Sequence, residues 1–327
     1  MNFNFLLIIL FLNIIFLLGY NSLSQKLNLF DYPDSSRKLH KKKTPLTGGI
    51  LFFLCVIAYF IFNFVFLIEN HLSLKENFSL VLILITFFLT GLYDDKYNLN
   101  PNIKLFLTIF FSLCVILFND SFSVNDLNFS FTDKSISLGN FSIMFTLICI
   151  LCFVNACNMF DGIDLQFGFY LIFLSIFFLT KGFMSNIFFG FLICSIIFLI
   201  LNYKKKVFIG NNGTLFLGSF FSFIFINSYS RGYIVNVDEI FMIMAIPGFD
   251  LIRVSILRLA KGQHMFEPDR QHIHHILLNK NSLLVTNLLI QINILLPVIF
   301  YYLFKNFFMS FAISLLIYLM LLFWSKK

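Results

Sequence analysis

Apolar residues arrive in long blocks separated by short polar segments, at roughly residues 3–20, 49–68, 78–93, 104–119, 142–154, 168–181, 183–201, 213–229, 239–253, 283–303 and 307–324. A helix needs roughly 20 mostly apolar residues to cross a bilayer, whose core offers no water to backbone polar groups. The pattern predicts an all-α integral membrane protein with ten or eleven transmembrane helices. No repeat, low-complexity tract or long linker divides it, so residues 1–327 read as one multi-spanning domain. The block at 142–154 is too short to cross by itself, so its helix must run on through Asn155 and Asn158. The first block has no basic leader and no small-residue cleavage site, which reads as a first membrane helix rather than a signal peptide. Residues 127–131 and 135–139 alternate apolar and polar around Thr132, Asp133 and Lys134. Period-two alternation predicts a short extracytoplasmic β-hairpin there.

Composition agrees: 59% of the chain is hydrophobic and 12% charged, against about 25% charged in a soluble domain. The net charge of +7 raises nucleic acid as a partner, but no basic stripe with interleaved aromatics stands outside the spans, which argues for no nucleic acid. With the N-terminus outside, 18 of the 23 Lys and Arg residues fall on inside segments and 5 on outside ones. Cytoplasmic loops carry such an excess, so the expected topology is eleven spans, N-terminus outside and C-terminus inside. The six cysteines lie in or beside apolar blocks. Cys149 and Cys152 have C-x-x-C spacing without a second Cys or His pair, as expected of small buried hydrophobes.

The inside segments hold the candidate chemistry. In the first, Arg37, Lys38 and His40 precede Thr44-Pro45 and Gly48-Gly49 at a helix start. Backbone N–H groups at such a turn, with cations nearby, can cradle phosphate. Lys41 to Lys43 alone read as a membrane anchor. In the second, Asp94 and Asp95 end an apolar helix, where the dipole is unfavourable to anions. Uncompensated carboxylates at a membrane boundary are expensive, and hard oxygen ligands beside a phosphate suit Mg²⁺. The third, Asn155, Asn158, Asp161 and Asp164, recurs every three residues, so the four form one polar stripe. That stripe contains no cation and calls for an external partner. The fourth, Gly210-Asn211-Asn212-Gly213-Thr214, is a glycine turn leading into a helix, again suited to phosphate. The fifth holds Asp250, Arg253, Arg258, Asp269, Arg270, His272, His274 and His275. Three histidines within four residues, without a separated fourth ligand, do not fit a structural zinc site.

In order, these motifs read R-K-x-H…P…G-G, D-D…P…K, N-x-x-N-x-x-D-G-x-D, G-x-x-G and P-x-x-D…R…D-R…H-x-H-H. The chain resembles the polyprenyl-phosphate N-acetylhexosamine-1-phosphate transferases over about residues 30–280. It looks closest to the bacterial UDP-GlcNAc:undecaprenyl-phosphate branch that starts O-antigen-like or teichoic-acid-linkage synthesis. Ile273 interrupts the three consecutive histidines usual in the phospho-MurNAc-pentapeptide translocase branch. The resemblance implies sugar-1-phosphate transfer from a UDP-N-acetylhexosamine to undecaprenyl phosphate, with UMP released and Mg²⁺ (or Mn²⁺) as cofactor. It implies an active site on the cytoplasmic face of the bacterial inner membrane, among membrane lipids, and leaves room for a homodimer. It assigns Asp94, Asp95 and Asp161, with Asn211 as a weak contributor, to the metal. Asp94, Asp95, Asp161, Asp164, His274 and His275 form the implied catalytic set. Arg37, Lys38, His40, Asn155, Asn158, Gly210, Gly213, Arg270 and His272 are the implied substrate-binding residues.

The family's fourth motif usually reads Gly-Asp-x-Gly-Ser with its Asp on the metal, where this chain has Asn211 and Thr214. The third usually continues Asp-Gly-Leu, whereas Leu165 follows Asp164 directly, as though one residue were missing. The alternatives are a translocase-like step of peptidoglycan synthesis, a catalytically weakened paralogue and, furthest from the motifs, a transporter.

Overall fold

The computed structural model describes residues 2–33, 42–66, 71–263 and 270–326. Each apolar block becomes a helix: α1 (Phe3–Leu27), α2 (Gly48–Phe66), α3 (Leu74–Tyr97), α4 (Pro101–Phe118), α5 (Ser142–Phe160), α6 (Gln166–Lys181), α7 (Ser185–Tyr203), α8 (Gly210–Ser230) and α9 (Val237–Ala260), then α11 (Leu283–Phe304) and α12 (Phe307–Lys326). A short α10 (Ile273–Leu278) lies between the last three. Among the described residues nine helices are long and apolar enough to span a membrane, and the protein is a multi-pass membrane protein. Helices run past the predicted ends of the blocks because hydropathy marks the hydrocarbon layer, whereas the helix ends at its caps. Thus α3 carries Asp94 and Asp95 before Asn98 closes it at φ 50°. As expected, α5 runs on through Asn155 and Asn158.

Helix α8 packs against α2, α3 and α5, and every residue from Asn212 to Ser228 is buried. A helix with no lipid face can carry Ser219, Ser222 and Asn227, whose polar atoms bond inside the protein. Small residues let the backbones close up, as membrane helix interfaces require. A Cβ on Gly49 would stand 2.3 Å from Gly213 Cα, and one on Gly91 2.4 Å from Asn211 O. Phenylalanines fill the remaining space: Phe53 stacks on Phe88 at 3.8 Å, and Phe178 on Phe188 at 4.6 Å. The exposed apolar side chains of α1, α4 and α12, such as Phe11, Leu18, Phe106 and Phe323, suit contact with lipid.

At one end of the bundle, β1 (Phe30–Asp31) pairs antiparallel with β2 (Thr44–Pro45), a pairing the sequence pattern did not foreshadow. At the other end lies the expected hairpin, shorter than the alternation implied: β3 (Asp126–Leu127) pairs with β4 (Ile136–Ser137). Tyr229 fastens it, donating to Asp126 O (2.9 Å) and accepting from the Asn128 N–H (2.8 Å). Asp238 accepts from the Ser130 N–H, and Arg231 pairs with Glu76 at 2.5 Å at the same end.

Candidate active site

The polar segments meet at the β1–β2 end, around an open cavity of about 950 Å³. Its wall includes Asp94, Asp95, Asn155, Asn158, Asp161 and Asp164. Gly210, Asn211, His272, His274 and His275 also line it. Segments far apart in the chain, from Asn28 to His275, thus share one chamber because successive helices reverse direction, bringing alternate connections to the same end. Arg37, Lys38 and His40 lie outside the described residues.

Both expected phosphate cradles are filled by the chain itself. The Gly48 and Gly49 N–H groups donate to Phe208 O and Ile209 O, each at 2.9 Å, tying the start of α2 to the loop before α8. The first amides of α8 are taken by Asp95, whose Oδ1 accepts from the Asn211 N–H (2.8 Å). Its Oδ2 accepts from the Asn212 N–H (2.9 Å) and from Asn212 Nδ2 (2.6 Å). Asp95 thus caps the positive end of a different helix, whose amides offset part of the cost of an anion at the end of α3. Gly210 takes φ 73° and would crowd Asp95 if it bore a Cβ (2.7 Å to Oδ2). Gly213 faces α2 and does not line the cavity.

Asp94 is also compensated. Its Oδ1 accepts from the Leu99 N–H (2.9 Å), and its Oδ2 pairs with Lys104 in the first turn of α4. In the third segment Asn155 donates back to Leu151 O (2.8 Å), while Asn158 accepts from Thr214 of α8 (2.7 Å). The amides of the stripe thus find internal partners. Asp161, which ends α5, is different. Burial, and then the charges of Asp164 and Asp95, push its carboxyl up to about 8.

Asp161 is the observation that tests a divalent cation. Among the described residues no base forms a salt bridge with Asp161, and an acid crowded by two others is what a metal relieves. Among the described residues no three His, Cys, Asp or Glu side chains form a ready cage. Magnesium is commonly held by one or two carboxylates plus substrate oxygens, so the donor set fits that ion in that manner. Asn211 lines the same wall and adds an amide oxygen without charge.

The histidine segment is organised by Asp250 of α9. His272 Nδ1 donates to Asp250 Oδ2 (2.7 Å), which leaves Nε2 to accept from Arg258 Nη2 (3.3 Å). Asp250 Oδ1 accepts from the Ile273 N–H (3.1 Å), Arg253 Nη2 (2.7 Å) and Tyr318 of α12 (2.8 Å). His272 is therefore fixed by the protein at both nitrogens. His274 is buried against Gly162, and burial, then the neighbouring His275, lowers its pKa below the ordinary histidine range. Gln166 Nε2 approaches His274 Nδ1 at 3.5 Å. Arg270 is exposed and is not among the residues lining the cavity.

Asp250, Arg258 and Lys104 carry parts of this site that motif reading left without a role. Their charge at the ends of apolar blocks was the available signal. Tyr318 and Gln166 gave none, since each is one polar residue in a helix.

Residues 77–229 match the model of a family described as glycosyl transferase family 4. The undecaprenyl-phosphate alpha-N-acetylglucosaminyl 1-phosphate transferase of Escherichia coli (strain K12) is 28% identical over 278 residues, covering 81% of this chain and 73% of that protein. The protein of that name from Yersinia pestis is 29% identical over 293 residues, covering 84% and 76%. Together these matches make the chain similar to glycosyl transferase family 4 and to these transferases over most of its length. The probable undecaprenyl-phosphate N-acetylglucosaminyl 1-phosphate transferase of Bacillus subtilis (strain 168), at 26% over 258 residues, covers 76% of this chain and 70% of its own.

The residue directly after Asp164 has an unusual backbone conformation. Leu165 itself takes φ 72° and opens α6, the left-handed conformation that favours glycine. Asn202 steadies this strained position by accepting from the Leu165 N–H at 2.6 Å.

Proposed function

We propose that the protein transfers N-acetylhexosamine 1-phosphate, GlcNAc 1-phosphate in the first instance, from a UDP-sugar to undecaprenyl phosphate with release of UMP. The observation that carries this reading is the single chamber in which acidic, amide and histidine segments converge at the end of a membrane bundle. The relatives' names support the acceptor and the sugar.

Phosphoryl transfer asks the protein for positioning and charge stabilisation more than for covalent chemistry. A phosphate monoester, with its second pKa near 6, is largely dianionic at neutral pH. Its oxygen forms the new P–O bond to the sugar-bearing phosphorus as the bond to UMP breaks. Asp161, with Asp94, Asp95 and Asn211 nearby, would hold Mg²⁺, which when bound supplies positive charge to the phosphate oxygens. Asp164, beside Asp161, keeps that corner anionic. Asn155 and Asn158 face the nucleotide and phosphates. His274 and His275, set by the Asp250 network, lie where they can donate to phosphate oxygens. Arg258 and Lys104 keep the wall locally positive.

We place the chamber on the cytoplasmic face of a bacterial inner membrane, N-terminus outside and C-terminus inside. The support is the excess of basic residues on segments at that end. A cysteine replacing Gln271 should resist an impermeant thiol reagent in intact cells and react once the membrane is opened. Cross-linking in native membranes tests the homodimer.

The deciding assay uses purified protein, undecaprenyl phosphate and a panel of UDP-sugars, with mass detection of the lipid product and of UMP. A lipid diphospho-GlcNAc product is expected. No product with any UDP-sugar sinks the reading, and product only with UDP-MurNAc-pentapeptide moves it to the peptidoglycan branch.

A further inference from the structure

We infer that Lys205 binds a phosphate of the nucleotide-sugar donor, an inference that rests on the transferase reading. Lys205 closes α7 in the left-handed conformation, φ 54°. The Lys205 N–H donates to Asn202 O (2.8 Å) and the Lys206 N–H to Leu201 O (2.9 Å). Glycine is the usual residue at such a helix end, and asparagine is tolerated. Two other helices ending beside the chamber follow that preference, with Asn28 at φ 54° after α1 and Asn98 at φ 50° after α3. A lysine there is strained, and strain at a cavity wall is commonly retained for function.

Position separates Lys205 from its neighbours. Of Lys204, Lys205 and Lys206, only Lys205 lines the chamber. Its loop is rigidly tied to the acidic turn: Asn202 Oδ1 accepts from the Leu165 N–H (2.6 Å) and Asn202 Nδ2 donates to Val207 O (3.0 Å). Lys104, another cation of the wall, is engaged by Asp94, and Arg258 faces His272. No described carboxylate forms a salt bridge with Lys205. Its side chain is exposed at the aqueous rim, whereas Lys104 lies on α4 beside Leu105 and Thr108, within a membrane helix. A donor arriving from water meets the exposed cations of the rim, Lys205 and, over the Tyr97 ring, Lys96, while the phosphate of a lipid acceptor arrives from the membrane.

Conformation and charge can be tested separately: Lys205→Gly removes the strain and the ammonium together, whereas Lys205→Arg keeps both. The expected result is a melting temperature at or above wild type, with KM for UDP-GlcNAc raised about fivefold at low salt. KM for undecaprenyl phosphate should hold, Lys205→Arg should restore donor binding, and the donor effect should shrink as salt rises. Lys305, which closes α11 with φ 49° at the other end of the bundle, is the control: Lys305→Gly should match the melting change and leave both KM values unchanged. An unchanged donor KM in Lys205→Gly makes Lys205 a membrane anchor only, and a rise confined to the acceptor assigns it the wrong phosphate. Either result overturns the inference. If wild type transfers no sugar, the transferase reading has failed, and UDP decides Lys205 alone. A UDP-induced melting shift lost in Lys205→Gly supports the inference, and an equal shift in both proteins sinks it.

Discussion

The imidazole of His274 lies flush against Gly162: a Cβ on Gly162 would stand 1.8 Å from Nε2. The turn after α5 and the short helix α10 are thereby brought into register, the acid corner beside the histidines. Gly162→Ala must push one of them away. Overpacking of this kind costs about 1–3 kcal/mol, and a displacement near 1 Å at a reacting centre costs on the order of a hundredfold in rate. We expect kcat to fall by about that factor while the protein still inserts. A second change, His274→Ala in the Gly162→Ala background, should recover the lost melting temperature but not the rate. Near-wild-type kcat in Gly162→Ala is the outcome against the contact.

Asp94 and Asp95 separate by what each holds. Both substitutions to Asn should abolish turnover. Asp95→Asn also turns an amide donor toward donors of Asn211 and Asn212, at a predicted cost of about 1–3 kcal/mol from the lost cap of α8. Asp94→Asn keeps an acceptor for the Leu99 N–H and frees only the partly exposed Lys104. Thermal melting of the two variants in detergent decides this. Equal melting temperatures contradict the capping role.

Asn211→Asp restores the acid usual in the family pattern. A carboxylate supplies a full charge to a divalent cation where an amide supplies a dipole, but it also faces repulsion from Asp95, which its own N–H already binds. The net expectation is a Mg²⁺ half-saturation lower by about fivefold, no loss of activity, and a lower melting temperature in chelator. A magnesium titration with unchanged or weaker dependence means Asn211 is not beside the metal.

Asp161 sets a pH dependence. Its carboxyl is raised from 3.8 to about 8 in the folded protein, so between those values the folded state binds the extra proton. Its stability contribution is complete below about pH 4 and is lost as pH rises through about 8. In chelator, wild type should lose melting temperature from pH 5 to 8 relative to Asp161→Asn. Parallel curves for the two proteins would refute the crowding of Asp161 by Asp164 and Asp95.

The amino-acid sequence by itself determined the helices, their order and the segments that carry chemistry, because crossing a bilayer imposes a length of apolar residues that local composition displays. It marked Asp161, Asp164, Asn158 and the histidines because polar side chains at the end of an apolar helix need partners. It could not name those partners. That Asp95 caps α8, that the amides of Gly48 and Gly49 serve Phe208 and Ile209, and that Asp250 holds His272 with help from Tyr318 are pairings between distant segments. Hydrogen bonds of this kind depend on which helix lies beside which, and hydropathy along the chain is nearly silent about neighbours. The left-handed turn at Leu165 was silent for the same reason: only the backbone angle shows that a leucine occupies a conformation that favours glycine. Tertiary packing alone decided which of the sequence's polar groups the protein satisfies for itself and which, Asp161 foremost, it leaves facing the cavity.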